Sequence, residues 1–327
     1  MQSYKNHPQM SKRDSYTDRT RHLVFAKNAD ETEAIAFIHG SAHLESGVRD
    51  ELIADALDDF GPGDIGGPGG AIMERFQADD LTLDEAAGST SEEIQDRLEI
   101  LGNLYPFYLN GNTLEYAPSE NGIYELLLAI SSVPSPSTHN ADRLFEEAAT
   151  QIARGILGDD SLSWHTGWPR SGGNPPRLKD LYQVIHEQTG EFHWQPKAGF
   201  PDDPAPADEK DCGIDIIVQR PLDAARQGNL FLFGQCACGN NWDSKLLEAD
   251  PSYRLSRYFS TITHVPPIVA IFVPFCLSQY WINDTSRQKV LPVDRLRLVQ
   301  IAAKVESALP EWLSRDRNIN QAIRLLS

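Results

Sequence analysis

The sequence predicts an α/β protein: a mixed sheet flanked by helices, preceded by an acidic, mainly helical domain. Three observations carry that expectation. The second half of the chain alternates helix, strand, strand, helix, strand, helix. Acidic residues crowd into the stretch from Glu31 to Ile100, where helix-spaced apolar positions recur. Between the two halves stands SSVPSPSTHN, Ser131 to Asn140, whose density of Pro and Ser cannot continue a helix.

Residues 1 to 30 are polar, mildly basic and poor in structure signals, and read as an arm. From 31 to 130 the pattern is helical. Ala34, Ile35, Phe37 and Ile38 recur at helix spacing, as do Leu52, Ile53, Ala56 and Leu57, with a glycine-rich break at Gly61 to Gly70. That break lacks the GK[ST] ending of a phosphate-cradling loop, so it reads as a turn. Helix resumes in TSEEIQDRLEILGNLYPF, where Thr90 and Glu93 have capping-box spacing, and again in NGIYELLLAISS. Residues 131–140 read as a linker, and 141–327 as the α/β domain.

Within that domain ADRLFEEAATQIARGIL, Ala141 to Leu157, is an amphipathic helix, and RLKDLYQVIHEQTG is another. GIDIIVQ, Gly213 to Gln219, is short, β-branched and bounded by turn residues; NLFLFGQCA, Asn229 to Ala237, is a second strand. A helix is expected from Asp243, then the apolar strand PIVAIFVPF and a helix in LRLVQIAAKVESAL.

Composition narrows the function classes. The chain has 327 residues with ordinary values of 40% hydrophobic and 23% charged. Its longest apolar run, Pro266 to Leu277, is well short of the ~18 residues a membrane span needs, and its charged N-terminal stretch carries no apolar secretory segment. A cytoplasmic, membrane-free protein is expected. Four cysteines in a chain this long make no disulfide framework and read as buried thiols. The net charge of −18 weighs against nucleic acid, whose phosphates are met by Lys and Arg. Yet Glu31 to Ile100, with 18 acids against 3 arginines, holds −15 of it, so the remainder is close to balanced. Arg254, Arg257, Arg295 and Arg297 are there to line a groove, or to form an ordinary solvated helix face.

The two strands hold the chemistry. Asp215 stands between Ile214 and Ile216 in an aliphatic run, and an ionised carboxylate buried there is costly without a cation or a hydrogen-bonding partner. Gln235 ends the second strand. If the strands are antiparallel neighbours, Asp215 and Gln235 point to one face and offer two hard oxygen ligands suited to Mg²⁺. Each residue alone has a plainer reading: Asp215 as a strand-end carboxylate reaching solvent or a turn amide, Gln235 as a structural hydrogen-bonder.

DCGIDIIV followed by LFLFGQCACG resembles the metal-binding core of the PD-(D/E)XK restriction-endonuclease-like nucleases, in particular the Mrr-like branch. The resemblance spans Ala141 to Leu298. It implies a restriction-endonuclease-like fold, Asp215 and Gln235 as ligands of Mg²⁺ or Mn²⁺, and a third acid in an F-E pair on the preceding helix, matched by Phe145 and Glu146. Helical spacing also favours Glu146 over Glu147, because Ala149 and Ala153 share its face whereas Thr150, Gln151 and Arg154 share that of Glu147. The family's strand lysine falls on Ala237, so the ammonium that positions water and stabilises the transition state is missing from the strand. Some members of the superfamily supply it from the following helix, and Lys245 is placed for that role.

The expectation is therefore a Mg²⁺-dependent DNA endonuclease in restriction or defence against foreign DNA. Its catalytic residues are Asp215, Gln235, Lys245 and Glu146, and its acidic domain faces a protein partner such as a helicase or ATPase subunit. Two alternatives are an inactive nuclease-fold subunit that docks DNA, and an acidic protein that mimics nucleic acid.

Overall fold

The computed structural model describes residues 16–46, 87–133, 140–170, 174–191, 193–194, 210–211, 213–223, 226–239, 242–247, 259–260 and 265–327. In the second half of the chain five strands lie in sequence order across one sheet: β4 (Leu162–His165), β6 (Ile216–Arg220), β7 (Leu230–Cys236), β9 (Ile268–Phe272) and β10 (Leu291–Val293). β6 is antiparallel to both neighbours, whereas β7, β9 and β10 run parallel, so the sheet is mixed. β5 (His193–Trp194) and β8 (Phe259–Ser260) pair with each other outside this sheet. The two expected strands are thus present, and they are adjacent and antiparallel, with Ile216 opposite Gly234.

Helices cover both faces because both faces are apolar. Ile216, Val218, Leu232, Cys236, Ala270 and Phe272 alternate onto one side. There they meet α4 (Ala141–Leu157), whose Phe145, Ala148, Ala149, Ile152 and Ala153 form a buried stripe at helical spacing. α7 (Arg295–Lys304) packs behind α4, and Gly155 permits the close approach: a Cβ there would stand 2.7 Å from Ile301 Cγ2. On the other side Ile217, Phe231 and Phe233 receive α5 (Leu178–Thr189). Ala237, Ile271 and Val273 receive Trp242, Leu246 and Trp281, the last from α6 (Gln279–Arg287).

The described residues of the first half are mainly helical, as expected, but add a small sheet, and α1, Tyr16–His39, runs through the second half of the expected arm. A three-stranded antiparallel sheet of β1 (Ser41–His43), β3 (Thr113–Tyr116) and β2 (Phe107–Asn110) accompanies α1, a helix over 87–101 (α2) and α3 (Ile123–Ser132). Strands of three or four residues are too short to show a period in the sequence. Thr90 lies within α2, buried, so it does not cap that helix. The expected helix around Leu52–Leu57, the break at Gly61–Gly70, and Arg254 and Arg257 lie outside the described residues.

The core does not divide at 131–140. α8 (Arg315–Leu326), which the sequence reading did not anticipate, packs on α3, and one apolar cluster runs from Ala29 through Leu127 to Leu298. Arg295, a candidate for a DNA groove, is instead fully buried between the halves. It donates to Asp30 Oδ2 at 2.8 Å and Ser131 Oγ at 2.7 Å, while Arg97 donates to Asp30 Oδ1 at 2.7 Å and Glu33 Oε1 at 2.9 Å. No helix among the described residues is long and apolar enough to cross a membrane.

Candidate active site

Asp215 immediately precedes β6, and the ladder slips there. Its N–H donates to Gly234 O at 2.9 Å, although Gly234 is already the register partner of Ile216. Two residues of one strand thus oppose one of the next, the pairing of a β-bulge, which re-aims a side chain. The Asp215 carboxylate turns toward α4, and its Oδ2 accepts from the Cys236 N–H at 2.7 Å.

α4 brings Glu146 to the same place. The end of β4 completes the site with His165, Thr166 and Gly167, none of which was singled out in the sequence. The His165 ring lies 2.9 Å from Glu146 Oε2 through Nε2, and the N–H groups of Thr166 and Gly167 both donate to Asp215 O, at 2.8 and 3.2 Å. A Cβ on Gly167 would stand 2.7 Å from Glu146 Oε2, 3.0 Å from Asp215 Oδ1 and 3.1 Å from His165 Nε2. Three polar atoms therefore crowd against Gly167, and a side chain there would displace them. The only sequence signal for this was a buried-strand pattern broken by HTG, which is too short to read by itself.

Lys245 also reaches the site. It lies on a 3₁₀ turn, Trp242–Leu247, where an α-helix was expected, and its Nζ donates to Cys236 O at 3.1 Å. Gln235 does not join. The alternation of β7 sends Leu232, Gly234 and Cys236 toward α4 and turns Gln235 to the other face, in register with Ile271. The slip at Asp215 is the physical reason: it moves the carboxylate off the face it would share with Gln235 in a regular ladder. Gln235 Oε1 is buried with no hydrogen-bond partner. Cys236, read as a core thiol, stands beside the carboxylates, and Cys238 lies next to Asp142.

Electrostatically, Lys245 does not offset the burial and mutual repulsion of the two carboxylates. Burial, and then the Glu146 carboxylate, push Asp215 up to about 7, against the pull of the Cys236 N–H and of Lys245. Burial likewise raises both thiols, Cys236 next to Asp215 and Cys238 next to Asp142, so neither is primed as a nucleophile. Among the described residues no group of three or more His, Cys, Asp and Glu side chains is arranged to hold a metal ion. Asp215 and Glu146 bring two hard oxygen donors together beside Gly167, which fits a Mg²⁺ that draws its other ligands from water and substrate.

Comparison of the chain with protein-family models, with characterised proteins and with solved structures gave no match.

Proposed function

We propose that the chain is a Mg²⁺-dependent endonuclease with a restriction-endonuclease-like core, acting on DNA in restriction or defence, with Asp215 and Glu146 holding the cation. The observation that supports it is the approach of these two carboxylates to one another beside Gly167, one from the start of β6 and the other from α4. Mn²⁺ fits the same oxygen donors.

A divalent cation held by Asp215 and Glu146 would supply positive charge to the scissile phosphate and make a water more acidic. The remaining work belongs to the chain. Asp215, fixed by the Cys236 N–H and by two amides on its carbonyl, presents Oδ1 to the ligand. Glu146 presents Oε2, oriented by His165. Lys245 stands in for the ammonium missing at Ala237, placed to steady the phosphate or orient the attacking water. The test is nicking of supercoiled plasmid DNA across a Mg²⁺ titration. Wild type nicks and Asp215→Asn does not; nicking by Asp215→Asn at the wild-type rate sinks the proposal. Lys245→Ala that cleaves at the wild-type rate removes that residue from the mechanism.

One observation favours a second reading, an inactive subunit of the same fold that docks DNA. Cys236 at the end of β7, beside the carboxylates, and Cys238 just beyond it carry thiols in place of oxygen or ammonium groups. Binding of DNA without cleavage at any Mg²⁺ or Mn²⁺ concentration selects it.

A further inference from the structure

Two tryptophans four residues apart, Trp164 and Trp168, are treated in opposite ways. Trp164 on β4 is 7% exposed, packs with Tyr182 and Phe233, and donates its indole N–H to Gln188 Oε1 at 3.0 Å. Trp168 is 43% exposed. It directly follows Gly167, about 3.8 Å along the chain from the Cα around which Glu146, Asp215 and His165 gather.

The exposed ring has a cation against it. The Arg170 guanidinium lies 5.6 Å from its centroid, a cation–π distance. Arg170 is itself anchored, donating to Pro176 O at 2.6 Å and to Lys210 O, while Arg143 donates to Arg170 O at 3.4 Å. In a chain of net charge −18, an exposed indole backed by the Arg170 guanidinium therefore follows Gly167, with the Arg143 guanidinium beside it paired to Glu147 at 3.1 Å. Phosphate with an accessible aromatic base matches that chemistry: the cations meet the backbone and the ring meets the π-face. Bases in a duplex are already stacked on each other, so a lone protein ring gains a partner only where a base is unpaired or splayed out.

We propose that Trp168, backed by Arg170, is a stacking platform for an unpaired nucleobase of the substrate strand, next to the phosphate presented to Asp215 and Glu146. This rests on the nuclease reading for the identity of the neighbouring site, and it names the substrate class as DNA with a single-stranded or unpaired position.

The experiment measures binding of the full chain to fluorescein-labelled single-stranded and duplex oligonucleotides of one sequence, by anisotropy in EDTA, so that no metal enters. Trp168→Ala is expected to weaken single-strand binding about tenfold, inside the ~5- to 150-fold range of one base stack, with duplex binding unchanged. Trp168→Phe, which keeps an aromatic face, is expected to restore most of it. Thermal melting of both variants at the wild-type temperature confirms that an exposed side chain was removed without harm to the fold. The platform is overturned if Trp168→Ala binds single strands like wild type, if it loses single strand and duplex equally, if Phe fails to rescue, or if the wild-type chain binds no single strand. Plasmid nicking by Asp215→Asn is scored in parallel. Nicking retained there with single-strand binding lost in Trp168→Ala fells the nuclease reading and keeps the platform; the reverse pattern fells only the platform.

Discussion

The molecule holds two pairs of carboxylates and treats them differently. Asp30 and Glu33, between the two halves of the chain, lie against the guanidinium groups of Arg97 and Arg295, with the hydroxyls of Tyr105 and Tyr124 also donating to Glu33. Burial alone would raise Asp30, yet Arg295 and Arg97 override it and hold the group below the ordinary carboxylate range. Asp215 and Glu146 are half-buried with a histidine, backbone amides and one lysine at the margin, and there desolvation prevails, taking Asp215 up to about 7. The difference separates a structural cluster, where two guanidinium groups meet Asp30, Glu33 and the more exposed Glu93, from a site whose charge is completed from outside. A buried acid by itself says little about function; whether the fold supplies its counter-charge says more.

That contrast breaks most visibly if Arg295 is removed. Arg295→Ala leaves Asp30 and Glu33 short of a cation in the interior and is expected to cost about 3–5 kcal/mol, read from urea denaturation. A cost below about 1 kcal/mol would mean that Arg295 does not offset these acids as described.

Asp215→Asn is expected to act in the opposite direction. In the folded chain Asp215 keeps its proton up to about pH 7, and in the unfolded chain only to about its ordinary 3.8. Between those values the folded state binds more proton, so the contribution of this group falls as pH rises, by up to about 1.4 kcal/mol per unit. Without divalent cation, Asp215→Asn should melt above wild type at pH 8, with the gap closing toward pH 4. Identical melting at both pH values contradicts the uncompensated state of the pair.

Two smaller substitutions sharpen the picture beside Gly167. Gly167→Ala puts a methyl group where Glu146, Asp215 and His165 converge and should abolish Mn²⁺ binding seen by calorimetry; undiminished binding places the cation elsewhere. His165→Ala should weaken Mn²⁺ binding by about ten- to a hundredfold through the orientation of Glu146, with His165→Gln recovering part. Gln235→Ala is the smallest expected effect, leaving plasmid nicking at the wild-type rate because the side chain faces the other side of the sheet. A loss as large as that of Asp215→Asn would show that Gln235 turns to the metal in the working enzyme.

Much of the α/β half was legible because its elements announce themselves: the 141–157 helix by its apolar stripe, and β6, β7 and β9 by short β-branched or aromatic runs between turn residues. β4, β10 and the strands of the first half are three or four residues long, too brief for a period, and went unseen. Glu146 was chosen over Glu147 from helix geometry, and the fold does bring Glu146 to Asp215. Gln235 was placed by assuming an unbroken ladder, which a single extra residue at Asp215 undoes.

The sequence by itself determined that Asp215 would be an acid in apolar company, that a second strand ending at Gln235 would follow its own, and that Glu146 would share a helix face with Ala149 and Ala153, because residue type and period act over a few positions. Only the tertiary structure decided which acids found a cation and which did not. Arg295 meets Asp30 across 265 residues, and His165 meets Glu146 from a separate strand. Charge compensation is set by distances in space, which local pattern does not encode.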